Sequence, residues 1–339
     1  MSRLRGLAAL CTLLVATPAL AFVRSTTATP GTGKPLFWRN PQVTFNVNTS
    51  FFKSIAGCGG SKDPAMALVR ASIPTWNQAK HPGDSAVCTS FQFVDGGDTT
   101  ATALGFDQTA GAKNENLVIF RSGLCSAQTD PSCTSPPVDP KTTLPDFGTC
   151  VQKTNCWEHD GSTGPGGTIA LTTVTFDPNT GEIFDADMEL HDWNGNPTAP
   201  TGWYFTCPGP PAQACTGTTS SPQLYSESGC VFMDIGNTTT HEAGHMLGLD
   251  HVCVQNVTGP TAACPDPTAT MAPTAAVGDT DKRVLKADDI NGVCTIYPVK
   301  SGGGGCGTAG GSGLALVALL GLFLAAFRWR RRPGAGGPR

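Results

Sequence analysis

The 339-residue sequence predicts a mixed α/β domain of short elements joined by long, disulfide-pinned loops. Three observations predict it. Segments alternating apolar and polar residues are interleaved with segments of helical periodicity, so strands and helices share one chain. Charged residues are sparse at 14%, while 41 Gly and 27 Pro punctuate the chain and keep its elements short. Of 14 cysteines, 12 lie between residues 22 and 300, an even set that suits an oxidised framework of disulfides. No paired C-x2-C knuckles occur, which argues against zinc–thiolate sites as the use of those cysteines.

Val43 to Val47 alternates and reads as the first strand. Residues 64–80 read as a helix with Asp63 as N-cap and Pro64 at N1, its apolar positions being Met66, Leu68, Val69, Ile73 and Trp76. Pro74 should kink that helix or cut it short. Phe91 to Val94 and Leu117 to Phe120 are the next strands. Residues 121–167, with four cysteines among Pro, Gly and Thr, form a disulfide-tied insertion. Thr168 to Phe176 is a clear strand, which Asp177-Pro178-Asn179-Thr180-Gly181 turns into a hairpin with Glu182 to His191. A second loop-like insertion covers 194–229. Helices over 237–248 and 286–297 complete the domain. Trp38, Trp76 and Trp157 read as packing residues, with a ligand platform as the alternative.

The ends of the chain bear on location. Arg3 and Arg5, the apolar stretch Leu7 to Val15 and Ala19-Leu20-Ala21 make residues 1–21 a secretory signal cut after Ala21. An N-terminal membrane helix is the rival, for which the stretch is short. Residues 301–313 are a Gly-rich linker carrying Cys306. Residues 314–339 hold the apolar run Leu314 to Phe327, then Arg328, Arg330, Arg331 and Arg332. Counted from Thr308 that run has 20 residues, enough to span a bilayer with the arginines on the cytoplasmic side. An exported protein held at the cell envelope is expected, or one released outside if the tail is cut.

All 26 acidic residues but only 15 of the 22 basic ones lie within 22–300, leaving that body a formal charge of −11. With no basic patch, nucleic acid is excluded as a partner. A monomer is expected.

The chemistry lies in residues 241–251, His-Glu-Ala-Gly-His-Met-Leu-Gly-Leu-Asp-His. On a helix His241 and His245, four residues apart, project from one face and suit a single Zn2+. Glu242, beside the first ligand, is the candidate general base for water at that ion. Gly248 lets the chain leave the helix, and His251 can swing back as the third ligand. The chain has 6 histidines, and three fall in this 11-residue window at ligand spacing.

His-Glu-x-x-His-x-x-Gly-x-x-His is the metzincin signature, and this segment resembles it at every fixed position. Thr270-Met271-Ala272-Pro273, 20 residues past His251, is similar to the metzincin Met-turn. With Leu285 to Val293 and Tyr297, and with Gly166-Gly167-Thr168-Ile169-Ala170-Leu171 upstream, the chain resembles the matrixin branch over about 36–298. The resemblance implies a twisted, mostly parallel five-stranded sheet with three helices, an antiparallel edge strand that binds a protein or peptide substrate by strand addition, zinc on His241, His245 and His251, Glu242 as base, and Met271 beneath the metal. It also implies that Asp177, Asp185 and Asp187 offer oxygens to Ca2+, against ordinary turn and surface chemistry as the alternative. The tail resembles myxobacterial C-terminal sorting tails, implying cleavage near Cys306 and surface anchoring. A plain single-pass membrane anchor is the other reading.

The departures are specific. Leu171-Thr172-Thr173-Val174 lacks the histidine that many matrixins give a structural zinc. His159, Asp160 and His191 are either remnants of that site or hydrogen-bonded loop residues. No Pro-Arg-Cys-Gly segment supports a thiolate latency switch. Ala275 replaces a residue that often shapes the specificity pocket. Zinc-dependent endopeptidase is thus the expected function, with a catalytically silent binding or adhesion module as the alternative. Cys253 and Cys264 bracket a short loop and are expected to pair.

Overall fold

The computed structural model describes residues 22–28, 32–125, 156–159, 167–196, 201–207, 213–215, 230–252 and 268–299. The chain divides into two units, 1–299 and 300–339. The signal segment, the linker with Cys306, the apolar tail, Cys253, Cys264, Asp160 and much of both insertions lie outside the described residues. Among the described residues no helix is long and apolar enough to cross a membrane.

Five strands form one mixed sheet: β1 (Gln42–Asn48), β2 (Gln92–Asp98), β3 (Asn116–Ser122), β4 (Ala170–Phe176) and β5 (Ile183–Asp192), in the order β2-β1-β3-β5-β4. Four run parallel, and β4 pairs antiparallel with β5 through the hairpin. β4 is therefore an edge strand. Among the described residues three α-helices accompany the sheet, α1 (Asp63–Ser72), α2 (Ile235–Met246) and α3 (Ala287–Ile296).

Alternation decides which residues meet the helices. Val43, Phe45 and Val47 of β1, Val118 and Phe120 of β3, and Ala186, Met188 and Leu190 of β5 share one core with Val69, Trp76, Ala243 and Met246. Each fully buried phenylalanine there contributes roughly 1.5–3 kcal/mol of transfer free energy.

Two boundaries differ from the sequence expectation. Lys62, not Asp63, holds the cap position of α1, without a side-chain bond, and Asp63 opens the first turn, where a carboxylate complements the helix dipole. Pro74 ends the α-helix as expected, and the chain tightens into a 3-10 turn over Ile73–Gln78. β2 runs on to Asp98, past the expected end at Val94, because it stays paired with β1 across a register shift.

Four disulfides join described residues: Cys58–Cys207, Cys88–Cys294, Cys125–Cys156 and Cys215–Cys230. The first two staple loops to the core, and the third closes the base of the first insertion, where Leu124 bridges Trp157.

The outer face of β5 carries Asp185, Asp187, Glu189 and His191, all buried. Glu189 binds Arg121 Nε at 2.6 Å and His159 Nε2 at 2.6 Å, and His191 stacks on Trp157 at 4.4 Å. His159 and His191 are thus used in an ion pair and a ring stack. Asp177 spends its carboxylate on Asn179 N and Thr180 Oγ1 in the hairpin turn. It joins no metal-competent group with Asp185 and Asp187 among the described residues.

Asp187 accepts from Gly105 N and Leu117 N, whereas Asp185 Oδ2 finds no hydrogen-bond partner among the described residues. Burial first, then the neighbouring Asp187 charge, pushes Asp185 up to about 8. The folded chain therefore holds a proton that the unfolded chain has released between about pH 4 and pH 8, so the pair loses stability as pH rises through that window. Asp185→Asn, which can donate to Asp187 without titrating, should be near neutral at pH 4. At pH 8 in calcium-free buffer it should stabilise by on the order of 1–3 kcal/mol. Urea midpoints at the two pH values check this, and equal shifts at both would discard the proton assigned to Asp185.

Candidate metal centre

The helix that carries the histidines is tied down along its length. Asp234 caps α2 by accepting from Asn237 N at 2.6 Å, and Arg283 Nε pairs with the same carboxylate at 2.7 Å. Thr238, Thr239 and Thr240 are poor helix formers. Here each hydroxyl bonds the carbonyl four residues back, at 3.0, 2.8 and 2.8 Å. Trp76 Nε1 donates to Thr240 O at 2.9 Å and fixes the helix to the core. Gly244 is needed inside this helix, because a Cβ would stand 2.2 Å from Met271 Sδ and 2.8 Å from Trp76 Cζ2. Gly248 takes φ +101°, and a Cβ there would meet Leu36 O at 2.9 Å.

Past Gly248 the chain turns back because Leu249–Asp250 pairs antiparallel with Val23–Arg24. Ser25 N donates to Gly248 O and Ser25 Oγ to Leu249 O, both at 3.0 Å. Val252 N then bonds Met271 O at 3.1 Å. His251 is thereby returned to the face of α2.

The three predicted histidines come together. Nε2 of His251 lies 3.2 Å from Nε2 of His241 and 3.2 Å from Nε2 of His245. Nδ1 of His241 meets Thr270 O at 2.6 Å, and Nδ1 of His245 meets Leu249 O at 2.8 Å. A carbonyl only accepts, so both Nδ1 atoms carry hydrogen and both Nε2 atoms present lone pairs. Any proton on His251 Nε2 cannot fully serve two such acceptors. A cation can. Two nitrogens about 2.05 Å from a tetrahedral zinc stand about 3.3 Å apart, so the observed spacing fits that ion. Burial pulls His241 well below its usual pKa, and burial together with His245 takes His251 down to about 4. Rings held neutral are the form that ligates.

Glu242 is not a member of the histidine group. Its Oε2 accepts from Thr172 Oγ1 of β4 at 2.7 Å, and the same hydroxyl is 3.1 Å from Glu242 O. Burial raises this carboxyl against opposing pulls from His245 and the Thr172 hydroxyl. Met271 is buried beside α2, and its turn is braced by Asp289, which accepts from Thr270 N at 3.0 Å and Met271 N at 3.2 Å.

A cleft of about 780 Å3 opens over this group. β4 and the residues before it form one wall, α2 the floor, and Pro273 to Ala275 with Lys282 the opposite side. Sequence pattern alone does not single out Thr172, Lys282 or Asp289. Thr172 carries a faint signal, a hydroxyl between Ala170 and Val174 on the cleft side of a strand. For the other two the signal is tertiary.

No protein-family model matches the chain, and no curated protein matches it significantly.

Proposed function

We propose that this chain is a zinc-dependent endopeptidase of the metzincin group, in its matrixin branch, exported through residues 1–21 and held at the envelope by its C-terminal tail. The observation that carries the reading is the convergence of three histidine Nε2 atoms beside a buried carboxylate that is not one of them. A zinc ion held by His241, His245 and His251 would supply Lewis acidity, polarising a carbonyl and acidifying water toward about pH 7. Everything else is done by the chain. The β4 edge offers free backbone groups along the cleft, suited to an extended peptide added as a further strand. Thr172 fixes Oε2 of Glu242, leaving Oε1 to take the proton of the attacking water and to deliver it to the leaving amine. The hydrogen bonds at Nδ1 of His241 and His245 keep both rings in the ligating tautomer.

Full-length protein should retain about one zinc ion per chain and cleave unfolded casein, with activity lost to a zinc chelator and restored by zinc. Chelator-insensitive cleavage, or zinc-loaded protein that cleaves nothing, would replace this reading by that of a metal-binding or adhesion module.

A further inference from the structure

Lys282 belongs to the three-residue turn Asp281–Arg283, and its backbone N donates to Asn237 Oδ1 at 2.6 Å, pinning the turn to the start of α2. The side chain is 3% exposed and lines the cleft beside Thr238, Pro273, Thr274 and Ala275. Its ammonium donates to Ala272 O. That uses one of three N–H bonds. Among the described residues no carboxylate lies within 4.0 Å of it, and Asp279, Glu242 and Asp289 act on it only at longer range. Burying an ammonium without an ion-pair partner is costly, and an apolar side chain of similar length would fill the same wall without that cost. Among the described cleft-lining residues Lys282 is the one lysine or arginine, and burial lowers it to about 8, so it is mostly charged at neutral pH.

We propose that Lys282 is a specificity-determining residue: its buried ammonium selects peptides with Asp or Glu at one position flanking the scissile bond. This rests on the endopeptidase reading. A substrate carboxylate entering beside Thr274 would form a charge-assisted hydrogen bond with the free N–H groups, at a site already stripped of water. A neutral amide isostere offers one uncharged oxygen and leaves the positive charge uncompensated, so it should be the weaker substrate.

The test begins with a peptide library digested by the full-length, zinc-loaded protein. Acidic residues should be enriched at one position next to the cleaved bond. A peptide pair differing only as Glu or Gln there should show a kcat/KM ratio of about 10- to 100-fold. The ratio should fall toward unity in Lys282→Met and persist in Lys282→Arg. Equilibrium binding of the same pair to the Glu242→Gln variant, measured by calorimetry, should show the same preference without turnover. Chelator-sensitive cleavage with no acidic enrichment overturns the proposal and leaves the endopeptidase reading standing, as does a Glu/Gln ratio that Lys282→Met leaves unchanged. Absence of any hydrolysis removes both. If Lys282→Met does not fold, the wild-type enrichment and the Lys282→Arg ratio still decide.

Discussion

Glu242→Gln is expected to lower casein and peptide hydrolysis by about 10²-fold or more while zinc content stays at the wild-type level. The substitution preserves volume and keeps an oxygen for the Thr172 hydroxyl, so the 2.7 Å contact between β4 and α2 survives. What it removes is a basic oxygen. Because burial already disfavours the ionised form of Glu242, a neutral amide should fold at least as well, and the melting temperature should hold or rise. That combination separates a lost proton acceptor from a damaged site, since damage would reduce zinc and melting temperature together. Undiminished turnover in the zinc-loaded variant would remove Glu242 as the base and pass the role to another group facing the cleft.

The parts of this molecule that were legible in its sequence are those whose geometry is local. Four residues separate His241 from His245 and set them on one helix face whatever surrounds the helix. Alternation marked β1, the apolar run Leu117 to Phe120 marked β3, turn chemistry marked the β4–β5 hairpin, and Pro74 marked where α1 ends. The resemblance to metzincins supplied the sheet's mixed character, which no single segment encodes. Partners far apart in sequence were not legible. Val23–Arg24 reads as nothing in particular, yet it pairs with Leu249–Asp250 and so returns His251 to the site. Lys282 reads as an ordinary surface lysine until Asn237 and Ala272 are seen to hold it inside the cleft. For Asp185 and Asp187 the sequence leaves calcium oxygens and ordinary surface chemistry both open, because the strand pattern does not reveal that both are buried and that the loop residue Gly105 donates to Asp187.

Asp289→Ala is expected to destabilise the fold by about 3 kcal/mol or more and to weaken zinc retention by about 10- to 100-fold. One carboxylate ties the Thr270–Met271 turn to the start of α3. Oδ2 accepts from Lys286 N at 2.8 Å and Thr270 N at 3.0 Å, and Oδ1 accepts from Met271 N at 3.2 Å. Asp289 is 1% exposed, and truncation strands two buried donors, Thr270 N and Met271 N, at about 1–3 kcal/mol each, together with the half-buried Lys286 N. The loss should reach the metal site because Thr270 O holds Nδ1 of His241 at 2.6 Å and thereby sets both the tautomer and the direction of Nε2. Asp289→Asn keeps one oxygen, enough for two of the three donors, and should fall between wild type and Ala in both measurements. Chemical denaturation and competition with a zinc-binding dye read the two effects separately. If stability falls in the order wild type, Asn, Ala while zinc affinity stays constant, the Met271 turn is a brace for the fold alone, and the orientation of His241 must come from α2.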